Sequence, residues 1–255
     1  MGQLTRSHDI VLCPNYDKLY LNLNSCRDRY NDDINPYLHS DSNCDLGSDD
    51  SPYLDVSECQ SFSLNSFSTL FCNIRSLSKH LDEFVCDHVS SARSYDVIGM
   101  TETHMARGSE CLFRNSIPNY NFAGLARDSH GGGVAFFIDK KYTFELMEDL
   151  SCTLSHVESL FNKLNLGHQT LVMGCIYRPS GGSSLLFLEY IDSILELLSH
   201  DGWLGGLVIG GDFNIDLLEY NRNTSNLLST MTSFGMRPVI RGPTRVTSST
   251  VTLLD

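Results

Sequence analysis

Apolar stretches of strand length alternate with amphipathic helical stretches from residue 66 onward, and this alternation restricts the fold more than any other feature of the sequence. The stretches "SFSTLFCN", "YDVIGMTET" and "GGLVIGGDFN" are apolar on both faces, which is typical of strands buried between two layers. In "SSLLFLEYIDSILELLSH", leucine and isoleucine recur at helical spacing behind a Ser183 or Ser184 cap. Strands covered on both faces predict a layered α/β sandwich.

Further elements are predicted between these segments. "SLSKHLDEFVCDHVSSA" has the spacing of an amphipathic helix, and "TSNLLSTMTSFG" predicts a short helix that ends at Gly235. "HVESLFNKLNLGHQTLVMGCIYRP" predicts two strands joined by a turn at "NLGH". "GGGVAFFIDK" and "YTFELME" predict two more strands.

The first 65 residues have a different composition. They hold 11 Asp and Glu against 4 Lys and Arg, are rich in Asn, Asp and Ser, and show no sustained period. We expect residues 1–65 to be an acidic, largely disordered leader, in which "DIVLC" is the one short apolar patch able to dock, and residues 66–255 to be the folded domain.

Bulk composition excludes several classes of protein. No run of about 18 apolar residues is present, so we expect no membrane span. The net charge of −13 argues against a generally basic nucleic-acid-coating protein, so that any DNA-binding face must be a local basic patch. Nine cysteines without a C-x-x-C pair, of which Cys72, Cys86 and Cys175 lie in apolar sequence, indicate reduced core thiols in a nuclear or cytoplasmic protein.

Polar residues follow four of the predicted strands. They are Asn73 after "TLFC", Glu102 after "VIGMT", Tyr177 and Arg178 after "VMGCI", and Asp212 and Asn214 after "LVIGG". In open α/β sheets, sites assemble at the carboxyl ends of strands. Residues two apart on an extended chain share a face, so Asp212 and Asn214 should point together while Phe213 packs away.

Each of these residues alone also has a structural explanation. Asp212 and Asn214 could be turn residues that bond their own backbone. Glu102 could lie near a helix N-terminus, and Tyr177 could be a core ring with a satisfied hydroxyl. The arrival of all of them at strand ends in one domain favours a shared site.

Six motifs resemble, in order, those of the endonuclease/exonuclease/phosphatase superfamily, and in particular the apurinic-type endonuclease domain of LINE-like (non-LTR) retrotransposon polyproteins. They are "CNIRSL", "DVIGMTET", "GGGVAFFI", "CIYRP", "GDFNIDLL" and "PTRVTSSTVTLLD", over residues 66–255. "YRP", "GDFNID" and "PTR" followed by "LLD" are the specific ones. The resemblance implies two mixed β-sheets packed face to face and flanked by helices, a four-layer α/β sandwich.

The resemblance also implies a metal site and catalytic groups. Glu102 matches the Mg²⁺-binding glutamate, with Asn73 beside it, and Mn²⁺ is the alternative ion. One or two carboxylates suffice for Mg²⁺ because the ion keeps most of its waters. The remaining matches are Tyr177 to the tyrosine that touches the scissile phosphate, Asp212 to the acid that handles the attacking water, Asn214 to the amide that positions the phosphate, and Asp255 to the aspartate that orients the catalytic histidine.

The implied function is a Mg²⁺-dependent DNA endonuclease of a retrotransposon, which nicks target DNA to leave a 3′-hydroxyl for reverse transcription. The implied partners are double-stranded DNA and, through a polymerase region outside this sequence, the retrotransposon RNA. We expect Arg178 and Arg245 to line the cleft that binds the DNA.

The sequence departs from the family pattern at its C-terminal end. The family continues with a further strand and a Ser-Asp-His motif, whereas this sequence stops at Asp255, and no other histidine, His104 included, is placed to substitute. We therefore expect a C-terminally truncated domain that lacks its last strands, and enzyme activity stays an open question. The alternatives are an inactive remnant and, within the superfamily, a phosphoesterase acting on inositol phosphates or sphingolipids.

Overall fold

Fully buried strands form the centre of the molecule. The computed structural model describes residues 8–11, 67–89, 95–127, 131–167, 169–203, 206–240, 243–246 and 251–253. The first sheet has the strand order β1-β2-β3-β5-β4, in which only β2 and β3 run parallel. Its strands are β1 His8–Val11, β2 Ser68–Asn73, β3 Val97–Thr101, β4 Tyr120–Leu125 and β5 Val134–Asp139.

The second sheet has the order β10-β9-β8-β6, with β7 also paired to β8, and its parallel pair is β9 and β10. Its strands are β6 Thr143–Leu146, β7 Cys152–Thr153, β8 Glu158–Asn165, β9 Thr170–Tyr177 and β10 Leu207–Asp212. A separate antiparallel pair consists of β11 Arg245–Val246 and β12 Val251–Thr252.

Helices cover the outer face of each sheet. Helix α1 spans Leu77–Phe84 and buries its apolar stripe in the core beneath the first sheet. Helix α2, Ser184–His200, packs in the same way on the second sheet, where it meets α3, Arg222–Ser233. The predicted four-layer α/β sandwich is therefore confirmed.

The two sheets approach each other closely because small residues face a large one. The ring of Phe71 on β2 lies against Gly99 of its own sheet and Gly210 of the opposite sheet. A Cβ atom placed on Gly210 would lie 2.5 Å from the Phe71 ring. Between the sheets, Cys175 of β9 donates from its Sγ to the carbonyl of Met100, at 3.6 Å. These contacts fix the spacing of the two sheets.

Most of the predicted elements appear where expected. The "NLGH" turn joins β8 to β9, Ser183 caps α2 by accepting from the Leu186 N–H, and α3 ends just before Gly235, whose φ is +74°. The first helix is shorter than predicted, because five residues in a π-helical turn, Val85–Val89, follow α1. Sequence periodicity does not distinguish this wider turn from the α-helix.

The cysteine prediction is only partly correct. Cys175 is buried and Cys72 half-buried, but Cys86 is exposed in the π-helical turn, so the expectation of a core thiol was wrong there. The described cysteines are free thiols. No helix among the described residues is long and apolar enough to cross a membrane.

The predicted leader is described only in its strand β1, which extends the edge of the first sheet beside β2. This strand contains the "DIV" of the apolar patch that we expected to be able to dock. Residues 12–65 of the predicted leader lie outside the described residues. Their predicted disorder stays a prediction.

Candidate active site

The parallel strand pairs of the two sheets bring four of the predicted residues to one end of the sandwich. Asn73 ends β2 and lies opposite Thr101 at the end of β3, after which Glu102 follows directly. In the other sheet Asp212 ends β10 opposite Tyr177, which ends β9. In each of the two parallel pairs, the register therefore places the carboxyl ends of the two strands side by side.

A single amide joins the two sheets at this end. The Nδ2 of Asn73 donates to Oε1 of Glu102 at 2.9 Å and to Oδ2 of Asp212 at 2.8 Å. The Asn73 Oδ1 accepts from the backbone N–H of Arg75 at 3.2 Å. Both amide hydrogens are thus used to hold two carboxylates together, and such charge-assisted bonds are stronger than neutral ones.

Glu102 is held in a strained conformation at the rim. Its φ is +51° and that of His104 is +50°, values that cost of the order of 1–3 kcal/mol each in non-glycine residues and that cluster at functional sites. The Tyr177 hydroxyl donates to Oε1 of Glu102 at 3.2 Å. The Glu102 side chain is 23% exposed, so one face of the carboxylate meets solvent.

The "GDFN" segment forms both a turn and a part of the site. The backbone N–H of Asn214 donates to Oδ1 of Asp212 at 3.0 Å, which is the turn that we considered as an alternative. Phe213 packs away into the core against Phe187, as predicted. The Asn214 side chain donates to the Arg178 carbonyl at 2.7 Å, so its amide is turned toward β9 rather than toward the carboxylates.

Arg178 has a structural task in this arrangement. It is buried, and its guanidinium donates to the carbonyls of Phe213 at 2.7 Å, Gly182 at 2.8 Å and Asn214. It therefore clamps the "GDFN" loop onto the end of β9. Its predicted contact with DNA stays a prediction.

Two other predicted residues are not placed at the site. Arg245 lies in β11, where only its backbone is described, and Asp255 lies outside the described residues. Their assigned roles stay predictions.

The environment raises the pKa of Asp212 and that of Tyr177. Burial raises the pKa of Asp212 and the Glu102 charge raises it further, while the hydrogen bonds from Asn73 and Asn214 and the charge of Arg178 lower it. Burial and the neighbouring Glu102 hold the pKa of Tyr177 well above its usual range. Tyr177 is therefore a hydrogen-bond donor at neutral pH, and Asp212 is a better proton acceptor than an exposed aspartate.

Sequence analysis missed two groups next to Glu102. The Nε2 of His104 lies 3.6 Å from Oε2 of Glu102, a proximity that the sequence did not indicate. Glu158 is completely buried, and its charge adds to the effect of burial in raising the pKa of Tyr177. The signal available in the sequence was the "GGG" of the third motif, whose Gly133 N–H donates to Glu158. Among the described residues, no group of three or more His, Cys, Asp and Glu is placed to hold a metal ion.

Comparison with solved structures identifies the fold. The described architecture is the four-layer α/β sandwich that the motif resemblance implied, and it has the same fold as a solved structure. The chain is similar to the endonuclease domain of TRAS1, a telomere-specific non-LTR retrotransposon, with a TM-score of 0.55, 12% identity, and coverage of 74% of this chain and 82% of that one. No protein-family model and no curated protein sequence matches the chain.

Two other solved structures show the same kind of similarity at lower scores. The AP endonuclease LMAP from Leishmania major has a TM-score of 0.48 and 14% identity, and covers 66% of each chain. TDP2 of D. rerio, complexed with a single-strand DNA product, has a TM-score of 0.44 and 13% identity, with coverage of 68% of this chain and 66% of its own.

Proposed function

We propose that this chain is a Mg²⁺-dependent phosphodiesterase that nicks double-stranded DNA, acting as the endonuclease domain of a non-LTR retrotransposon. The observation that carries the proposal is the convergence of Glu102 and Asp212 on the Asn73 amide, with the Tyr177 hydroxyl bonded to Glu102. Two carboxylates, an amide and a protonated phenol at one open end of a sandwich suit a phosphodiester better than a neutral substrate.

The donors present fit a hard cation. They are carboxylate oxygens, and the Glu102 side chain is partly exposed to solvent. One or two carboxylates are enough to bind Mg²⁺, because the ion retains several of its waters. Glu102 would hold the ion, and Mn²⁺ would bind in the same way. Ligation by Asn73 would require its amide to rotate, because the oxygen now accepts from Arg75. When bound, the ion would neutralise a phosphate oxygen and stabilise the leaving alkoxide.

The protein groups supply the proton transfer and the orientation. Asp212 accepts a proton from the attacking water as the new O–P bond forms, and its raised pKa suits it to that role. The bond between phosphorus and the 3′-oxygen breaks, and the 3′-oxygen takes a proton from solvent to give the 3′-hydroxyl. Tyr177 stays protonated and donates its hydroxyl hydrogen to Glu102.

The biological setting follows from this chemistry as part of the proposal. The DNA target is chromosomal, so the protein acts in the nucleus after synthesis in the cytoplasm. The 3′-hydroxyl would prime copying of the retrotransposon RNA by a polymerase region of the same polyprotein.

The test is nicking of supercoiled plasmid by the full chain. We expect open circles with Mg²⁺ and none with EDTA, and the nicks should be extended directly by a DNA polymerase because they carry a 3′-hydroxyl. Asp212→Asn should lower the rate about 10²–10⁴-fold, the range of a lost general base. Asp192→Asn, the same change at an exposed position on α2, is the matched control.

Three results would contradict the proposal. Equal nicking by Asp212→Asn would remove the assigned base. Hydrolysis of a phosphoinositide or sphingomyelin without nicking of DNA would move the chain to another branch of the superfamily. Absence of all these activities in a folded chain would favour the inactive remnant.

A further inference from the structure

Glu158 is a charged residue placed where charges are rarely found. It is the first residue of β8 and its relative exposure is 0%. Burying a carboxylate is costly unless its oxygens are hydrogen-bonded and its charge is paired. The proposed reaction uses Glu102 and Asp212 and gives Glu158 no task.

The partners of Glu158 come from a neighbouring loop. One oxygen accepts from the Gly133 N–H, and the other pairs with Nη1 of Arg127 at 3.0 Å. A Cβ atom on Gly132 would overlap both carboxylate oxygens, and the φ of Gly132 is +66°. The glycines of "GGG" are therefore required for the backbone to reach this carboxylate.

The same loop holds the segment that carries Glu102. The Gly132 carbonyl accepts from the His104 N–H at 2.7 Å, and the Gly133 carbonyl accepts from the Thr103 N–H at 3.2 Å. Thr103 follows Glu102 directly, in the stretch where the backbone is strained. A chain of hydrogen bonds thus runs from Glu158 through the glycine loop to the Thr103 and His104 backbone, which directly follows Glu102.

A second route joins Glu158 to the same carboxylate. Glu158 lies directly opposite Tyr177 in the antiparallel ladder of β8 and β9, so the two side chains share a face of the sheet. Tyr177 donates to Glu102. Glu158 therefore lies opposite Tyr177, a second residue that supports Glu102.

We propose that Glu158 is a positioning residue, which sets the location of the Glu102 carboxylate through the 131–133 loop. This inference rests on the proposed function for its catalytic meaning. Its geometric content, the anchoring of the Thr103 and His104 backbone, does not.

The test compares Glu158→Gln with Glu145→Gln, the same change at an exposed position on the neighbouring strand β6. In Glu158→Gln the Thr103 and His104 amides should exchange with deuterium about tenfold faster, because local opening becomes easier, while β3 amides keep their rates. Nicking by Glu158→Gln should need about tenfold more Mg²⁺ for half-maximal rate, with kcat lowered and KM for DNA unchanged, as misplacement of a single group predicts. Glu145→Gln should match the unmodified chain in every measurement.

The outcomes separate this inference from the proposed function. If the unmodified chain does not nick DNA, the exchange rates still decide whether Glu158 anchors the loop. If the chain nicks and Glu158→Gln keeps both the exchange rates and the Mg²⁺ requirement, the positioning role is overturned. Should Glu158→Gln fail to fold, Arg127→Gln removes the ion pair with Glu158 and is expected to shift both readouts in the same direction. Unchanged readouts in Arg127→Gln overturn the inference as well.

Discussion

The two carboxylates of the candidate site share the Asn73 amide but differ in their other supports. Asp212 is 6% exposed and is fixed within its own loop by the Asn214 N–H, with Arg178 clamping that loop. Glu102 is more open, and its supports come from distant parts of the sequence: Asn73 and Tyr177. A buried, locally preorganised acid suits a proton acceptor, whereas an open acid with remote supports suits a group that holds a hydrated cation.

The largest effect expected from this contrast is in the response to Mg²⁺. Glu102→Gln and Asp212→Asn should each lower nicking about 10²–10⁴-fold. Raising the Mg²⁺ concentration should recover part of the activity of Glu102→Gln, because that change weakens ion binding, and none of the activity of Asp212→Asn. Recovery of Asp212→Asn alone would show that the two roles have been assigned the wrong way round.

The clamp on the Asp212 loop predicts an effect on stability. Arg178→Met would leave the buried carbonyls of Phe213, Gly182 and Asn214 without their donor, and should lower the free energy of unfolding by about 2–4 kcal/mol. Urea denaturation measures the change. The exposed Arg114→Met serves as the comparison and should stay within about 0.5 kcal/mol. A loss no larger than that in Arg178→Met would mean that the loop does not depend on the clamp.

The smallest expected effect is a shift in the pH dependence of nicking when Asn73, which bonds both carboxylates, is replaced. Burial already raises the pKa of Asp212, and the Asn73 hydrogen bond lowers it. Asn73→Ala should therefore raise the pKa of Asp212 further. Since Asp212 must be deprotonated to accept a proton, the acidic limb of kcat/KM should move to higher pH, while Asn115→Ala, at an exposed position, should leave it in place. A limb that moves to lower pH would contradict the assignment of Asp212 as the base.

The same contrast explains how much of the site could be predicted. Asp212, Phe213 and Asn214 lie within one short stretch, and a strand followed by "GDFN" predicts the inward ring of Phe213. It does not predict the direction of the Asn214 amide, which donates to the Arg178 carbonyl. The carboxyl ends of parallel strands brought Asn73 and Tyr177 into the prediction, because this rule depends only on strand direction.

The place of Glu158 beside this site could not be predicted, because its contacts are non-local. Glu158 reads as an ordinary strand residue in "HVESLF", and its burial follows only from the pairing of β8 with β9. The task of Arg178 was also hidden, since a sequence does not reveal whether a guanidinium faces solvent or three carbonyls. The sequence of residues 8–11 showed an apolar patch but did not indicate that it pairs with β2. An edge strand pairs through its backbone, so its side chains do not specify the neighbouring strand.

The packing of Phe71 against Gly210 has a consequence for the chemistry. Asn73 lies two residues beyond Phe71 on β2, and Asp212 lies two residues beyond Gly210 on β10, so each pair shares a side of its strand. The packing distance between the Phe71 ring and Gly210 thus sets the distance between the Asn73 amide and the Asp212 carboxylate. A substitution in the hydrophobic interior that pushed the layers apart would widen the reaction centre without touching any residue in it.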